Sequence, residues 1–319
     1  MSHGITKEIM VFSGSSNPVL AKAVATNLNT KLSEVELSRF SNGEIYVRFQ
    51  QSVRGGDLYL IQTLANNIND SLIELLVMID AAKRASADAI SVVIPHYAYS
   101  RQDKKTKSRE PITAKLIADL LSVAGIHRLV SVDLHAGSIQ GFFDVPVDHL
   151  TAVSSLAEHF KAKNIDNWVV VSPDVGRVKT AKKFADQLGA DLAILHKVRP
   201  GHNKAEIHHV VGEVEGKIAL VVDDMVDTAG TMVEAASAVI KKGATEVYAA
   251  ATHPILSGPA VERIEASPIK EIVFTDTIPI PKEKMLSKMK VLSLASLIAL
   301  TIKNIHEDGS VSSLFRGDV

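Results

Sequence analysis

Short runs rich in valine and isoleucine recur along the chain: "EIMVFSG", "DLYLIQT", "AISVVIP" and "RLVSVDL", then "WVVVSPD", "DLAILHK", "KIALVVDD", "EVYAAATH" and "EIVFTDT". They are nearly continuous in apolar residues rather than alternating, as strands buried on both faces must be. Between many of them lie stretches with helical spacing, including "NPVLAKAVATNL", "NDSLIELLVMIDAAKRA", "PITAKLIADLLSVAG", "RVKTAKKFADQLG" and "TAGTMVEAASAVIKKG". Strands and helices in this alternation predict an α/β protein with mostly parallel sheets flanked by helices.

The alternation runs twice, broken by the polar, proline-containing stretch "DVPVDHLTAVSSLAEHF". Two similar α/β domains are therefore expected, one over 1–150 and one over 151–305. The final helix, "ASLIALTIKNIHEDG", and the tail, about 306–319, are expected to pack back on the first domain. A chain of 319 residues, 46% hydrophobic, is long enough for two cores.

A formal net charge of -1 with no basic block argues against a general nucleic-acid or membrane-surface binder. Without cysteine, disulfides and thiolate metal sites are impossible, so any metal must sit on oxygen or imidazole. The opening "MSHGITKEIMVF" has no apolar stretch of signal-peptide length, and other apolar runs fall well short of a bilayer span. A cytoplasmic protein is expected.

Two segments carry chemistry. "YSRQDKKTKSREP" is a basic loop between a strand ending at Pro95 and a helix beginning near Pro111. A solvated loop is the ordinary reading, yet the carboxyl end of a parallel strand is where open α/β sheets bind ligands. "LVVDDMVDTAGTM" gathers Asp223, Asp224 and Asp227 at a strand end, then opens a helix with Thr228, Gly230 and Thr231. Amide groups at the helix start, with the two hydroxyls, suit a phosphate monoester, and Gly230 lets the main chain approach. The carboxylates suit vicinal sugar hydroxyls or hydrated Mg²⁺ beside them. One loop would then hold both ends of a sugar phosphate. The simpler alternative is an acidic turn with Asp227 or Thr228 as the helix N-cap.

This acid-rich string resembles the PRPP-binding loop of type I phosphoribosyltransferase folds, which leaves a PRPP-consuming transferase and a PRPP-making synthetase as readings. Further segments, "RFSNGEIYVRFQQSVRG", "RQDKKTKSREPITAKLI", "VDLHAGSIQGFFDVPVDHL", "SPDVGRVKTA", "KVRP", "ATHPILSGPA", "TDTIP" and "SVSSLF", together resemble the phosphate-activated class of the ribose-phosphate pyrophosphokinase family. The resemblance spans nearly the whole chain. It implies two type I phosphoribosyltransferase-like domains and transfer of the β,γ-diphosphoryl group of ATP to the anomeric hydroxyl of ribose 5-phosphate, leaving AMP. A catalytically silent regulatory relative is a further alternative, one that should have lost active-site groups.

The same resemblance distributes roles. Asp223, Asp224, Asp227, Thr228, Ala229, Gly230 and Thr231 would hold ribose 5-phosphate. Phe40, Asn42 and Glu44 match the adenine-binding turn, and Arg101, Gln102, Asp103 and Lys104 match the stretch that closes over ATP. His135 would serve ATP and Mg²⁺, the implied cofactor, and Asp174 would serve a metal near the sugar hydroxyls. Lys197 and Arg199 match the family's pair of catalytic cations; alternate strand residues share a face, so the two can point together. ADP and inorganic phosphate are implied effectors of a homohexamer, with Ser52, Arg54, Gln140, Asp148, Ser310, Ser312, Ser313 and Phe315 in the matching allosteric segments. Arg177 stands where many relatives have a second glycine, Val198 where arginine is frequent, Lys104 where some have arginine, and His149 where asparagine is usual. Arg177 is expected either to alter the approach to the sugar-metal site or to point to solvent.

Overall fold

The computed structural model of the chain describes residues 8–198 and 207–315. They divide into two compact units, one running to Leu150 and resuming at Ser293, the other Thr151–Leu292. The final helix returns to the first unit as expected, and the return begins at Ser293, ahead of the 305 bound, because that helix buries Ile298, Ala299 and Ile302 there.

In the first unit a fully parallel sheet has the order β1-β4-β5-β6-β7, built from β1 (Ile9–Ser13), β4 (Asp57–Ile61), β5 (Ala89–Ile94), β6 (Arg128–Val132) and β7 (Val147–Leu150). Three helices connect or flank these strands: α1 (Pro18–Asn27), α2 (Ile68–Arg84) and α3 (Thr113–Ala124). Leu58, Leu60, Val92, Ile94 and Leu129 are buried in the cluster that joins sheet to helices. Full burial of each such side chain contributes roughly 1.5–3 kcal/mol. A separate antiparallel hairpin pairs β2 (Val35–Arg39) with β3 (Ile45–Phe49). The last helix, α8 (Ala295–His306), packs against α1. Ser296 Oγ donates to Asn27 Oδ1 at 3.0 Å, and His306 Nδ1 lies 3.0 Å from Asp57 Oδ2.

In the second unit, helices α4 (Val153–Lys161), α5 (Val178–Leu188), α6 (Gly230–Lys241) and α7 (Ala260–Ala266) accompany a larger sheet. Its strands are β8 (Trp168–Ser172), β9 (Asp191–Val198), β10 (Ile207–Val211), β11 (Ile218–Val226), β12 (Glu246–Pro254), β13 (Ile269–Thr275) and β14 (Met289–Leu292), in the order β10-β9-β8-β11-β12-β13-β14. Every pairing is parallel except that of β10 with β9. Val169, Val170 and Val171 are fully buried, as expected of a central strand with both faces covered.

The stretch read from sequence as a polar connection contains β7 and α4, and the units part between Leu150 and Thr151. In α4 the buried Val153, Leu156, Ala157 and Phe160 recur at helical spacing, so the segment has a core face despite its serines and charges. Helix α3 ends on Gly125, whose φ of 109° supplies a left-handed cap that a side chain would strain.

Candidate sugar-phosphate and nucleotide sites

In the second unit, β8 and β11 are neighbours, and their carboxyl ends carry the acid-rich chemistry. Pairing between them stops at Val221 with Val171, whereas β11 continues against β12 through Asp223 to Val226. Asp223 and Asp224 therefore sit beyond the end of β8. After β8, Asp174 caps a short 3-10 turn, Val175–Arg177, with Oδ1 accepting from the Arg177 amide at 3.1 Å. Asp174 is thus the N-cap that an acid at a strand end commonly is, while its side chain stays exposed.

The side chain of Arg177 turns back onto the acid pair. Its Nε lies 3.3 Å from Asp223 Oδ1 and its Nη2 2.8 Å from Asp224 Oδ2. The arginine side chain is 15% exposed, so of the two expectations for it, pointing to solvent is not what occurs. Burial, and next the neighbouring Asp224 charge, push the Asp223 carboxyl well above the usual carboxylate range, with Arg177 pulling the other way.

The loop that follows is braced from the β12–α7 connection. Leu256 N donates to Val226 O at 3.0 Å and Ser257 N to Asp227 O at 2.9 Å, while Ser257 Oγ donates to Asp227 Oδ1. Arg263 Nη1 donates to Thr228 O at 3.0 Å. A side chain at Gly230 would begin 3.4 Å from the same guanidinium nitrogen. Neither Asp227 nor Thr228 is the cap of α6: Ala229 is, with φ of 61° and no side-chain hydrogen bond. The first turn of α6 also lacks acidic residues. Its amides and positive dipole end therefore face no protein anion from the cap or first turn, an arrangement suited to a phosphate.

In the first unit, Phe40, Asn42 and Glu44 occupy the turn of the β2–β3 hairpin. Phe40 is 56% exposed and meets Tyr46 edge-on at 5.8 Å, so it is a surface aromatic rather than a core one. Asn42 Oδ1 accepts from Glu44 N at 3.2 Å. Arg101, Gln102, Asp103 and Lys104 lie in the loop after β5, and His135 lies in the loop after the adjacent β6. Gln102 Oε1 accepts from Thr113 Oγ1 at 2.5 Å, tying the loop to the start of α3. Leu134 N, beside His135, donates to His149 Nε2 at 2.8 Å.

Ser52 and Arg54 are exposed between β3 and β4. Gln140 Nε2 donates to Gly137 O at 3.1 Å, Asp148 pairs with Arg128 at 2.7 Å, and the Ser310 and Ser312 hydroxyls are 3.0 Å apart. Lys197 lies on β9, but its side chain and those of Val198, Ser313 and Phe315 fall outside the described residues, as does Arg199 altogether. Sequence reasoning missed the brace from Arg263, which no local pattern marks, and the part Ser257 plays inside the quoted "ATHPILSGPA".

No group of three or more histidine or acidic side chains gathers for a metal among the described residues. Mg²⁺ commonly uses one or two carboxylates and keeps several waters, so the exposed Asp174 fits as a single hard donor. The Asp223–Asp224 pair fits less well, because Arg177 already supplies its cation. Among the described residues no helix is long and apolar enough to cross a membrane.

A mostly parallel α/β unit whose carboxylate-rich strand end feeds a helix start without a side-chain cap has hydroxyl-accepting and anion-suited groups side by side at the sheet's carboxyl edge, where open α/β sheets bind ligands. Residues 9–125 match the N-terminal domain of ribose phosphate pyrophosphokinase, and residues 199–316 match the phosphoribosyl synthetase-associated domain. A ribose-phosphate pyrophosphokinase from Caldanaerobacter subterraneus subsp. tengcongensis is 54% identical, covering 97% of this chain and 98% of its own. One from Bacillus subtilis is 51% identical with the same coverage. The crystal structure of phosphoribosylpyrophosphate synthetase from Mycobacterium smegmatis superposes with a TM-score of 0.90 at 46% identity, over 95% of this chain and all of that one. The chain belongs to the ribose-phosphate pyrophosphokinase family.

Proposed function

We propose that this enzyme transfers the diphosphoryl group of ATP to the anomeric hydroxyl of ribose 5-phosphate, giving PRPP and AMP for nucleotide biosynthesis. The observation that carries the reading, beside family membership, is the braced acid-and-threonine loop at the start of α6. The 5-phosphate would sit on the amides of the first turn, with Thr228 and Thr231 hydroxyls beside it. Asp223 and Asp224 would accept from the sugar's adjacent hydroxyls.

In the reaction the anomeric oxygen bonds to the β-phosphorus as the bond from that phosphorus to the α,β-bridging oxygen breaks. AMP leaves with the bridging oxygen, and the hydroxyl proton is released. Such chemistry asks the protein mainly for alignment and charge neutralisation. Lys197 and Arg199 are assigned to the diphosphoryl group. Phe40 would stack on the adenine while Asn42 and Glu44 meet its polar edge, and Arg101, Gln102, Asp103 and Lys104 would close over the phosphates and exclude water. His135 would hold Mg²⁺ near ATP and Asp174 would hold Mg²⁺ near the sugar hydroxyls, where the ion when bound would neutralise charge on the polyphosphate brought up to them.

The assembly would be a cytoplasmic homohexamer, with ADP and inorganic phosphate acting through Ser52, Arg54, Gln140, Asp148, Ser310, Ser312, Ser313 and Phe315. Supplying Mg²⁺, ATP and ribose 5-phosphate should yield PRPP and AMP in equal amounts. Release of ADP, or no AMP at all, would contradict the reading. Purely competitive inhibition by ADP with no dependence on phosphate would remove the regulatory part alone.

A further inference from the structure

Arg177 is a charged group in direct contact with the acid loop to which the proposed reaction gives no task. Its position is set twice over. The backbone amide is pinned to Asp174 Oδ1 at 3.1 Å, which fixes where the side chain starts. The Nε and Nη2 edge then divides between two carboxylates, Asp223 Oδ1 at 3.3 Å and Asp224 Oδ2 at 2.8 Å, rather than gripping one of them. All three side chains are largely buried, at 15%, 14% and 7% exposure. The preceding Gly176 keeps the turn tight, since a Cβ there would lie 3.1 Å from Asp174 Oδ1.

Burial and mutual repulsion work against charging both members of this acid pair, and Arg177 opposes them, so a resident positive charge favours the ionised, hydroxyl-accepting pair before a sugar arrives. A divalent cation could supply that charge. In this chain a guanidinium does, being permanently charged and planar. Asp223 Oδ1 also accepts from the Asp224 amide at 2.8 Å, but a carboxylate has two oxygens with about four acceptor positions, so Asp223 keeps capacity for hydroxyl donors while bound to the arginine.

We propose that Arg177 is the built-in counter-cation of the Asp223–Asp224 pair, a positioning residue that lets the second unit bind ribose 5-phosphate without a divalent metal. This rests on the assignment of the acid loop to ribose 5-phosphate. The metal requirement of turnover then belongs to the polyphosphate substrate, and sugar binding is separable from it.

Calorimetric titration of ribose 5-phosphate into the full chain, in EDTA and in Mg²⁺, tests this without reading activity. For the native chain the two dissociation constants should agree within about threefold, a difference under 1 kcal/mol. Arg177→Gly should weaken binding in EDTA by about tenfold or more, as loss of one partner from a buried charge pair does, and Mg²⁺ should restore most of it. Arg177→Lys keeps the charge but not the fork, and should stay metal-independent with about a few-fold loss. A purely structural role would give Arg177→Gly a loss that Mg²⁺ does not repair, which would overturn the proposal. Tight binding by the native chain only in Mg²⁺ would also overturn it while leaving the sugar-phosphate loop intact. Failure to bind ribose 5-phosphate under either condition would remove the loop assignment, and this inference with it.

Discussion

The loop after β5 and the loop at the end of β11 both follow parallel strands, yet they handle charge in opposite ways. In the first, Arg101, Lys104, Lys105, Lys107 and Arg109 are all exposed. What orders the backbone is Glu110, whose Oε2 accepts from Thr106 N, Thr106 Oγ1 and Lys107 N, each at 2.8 Å. Those bonds hold its carboxyl below the usual glutamate range, that from the Lys107 amide contributing most. In the second loop the charges are buried and already matched, with Arg177 on the acid pair and Ser257 and Arg263 bracing the turn. Exposed cations can stay solvated until a polyphosphate arrives, whereas buried carboxylates must be satisfied within the fold. The acid loop is therefore preorganised, and the basic loop is adaptable.

The largest expected effect lies outside both loops. Lys197→Ala or Arg199→Ala should lower kcat by roughly two orders of magnitude or more, the usual loss on removing a transition-state electrostatic contact. Near-normal turnover in either variant would remove the assignment of these cations and shift the catalytic weight back to the loops.

Next in size is Asp224→Asn, which leaves Arg177 half matched in a buried site. Its KM for ribose 5-phosphate should rise about tenfold or more, with KM for ATP little changed. An equal rise in both would show that the acid loop is not a separate sugar grip.

A smaller effect separates loop chemistry from general stability in the second unit. Glu271 bonds to His159 at 2.9 Å and to Lys163 at 2.9 Å, away from the loop. Burial alone would raise its pKa, but these two hydrogen bonds outweigh it and hold the carboxyl below the usual range. A depressed folded-state value stabilises above the ordinary glutamate range and is lost as pH falls through it. Glu271→Gln should thus cost roughly 1 kcal/mol near neutrality, allowing for partial solvent screening, and the deficit should vanish as pH falls below about 4. Denaturant melts at several pH values check this; a deficit independent of pH would assign the loss to packing.

The smallest effect is expected at Glu110→Gln, where KM for ATP should rise about two- to threefold with ribose 5-phosphate unaffected, because the loop is exposed and tolerant. A loss as large as that of Asp224→Asn would show that the basic loop is as preorganised as the acidic one.

Much of this contrast was legible in the chain. The Val- and Ile-rich runs mark β1, β4, β5, β6, β8, β9, β11, β12 and β13 because buried parallel strands leave long apolar stretches. The β2–β3 hairpin left no such mark, since β2 is mostly exposed, and β7 and β14 span only four residues each. The acid loop was legible because carboxylates, hydroxyls and glycine follow one another directly in sequence. Arg177 was visible as an unusual residue, but not its destination, because the contact joins the ends of two strands that are neighbours only in the folded sheet. The brace from Arg263 is similarly nonlocal, reaching from α7 to Thr228.

The central claim is that the segment from Asp223 to Thr231 holds ribose 5-phosphate at both ends. A crystal structure of the chain with that sugar is its most direct test. The account predicts the 5-phosphate on the first amides of α6 and adjacent hydroxyls against Asp223 and Asp224, with Arg177 still on the acid pair. Ribose 5-phosphate bound elsewhere, or reversed so that its phosphate faces the carboxylates, would contradict it.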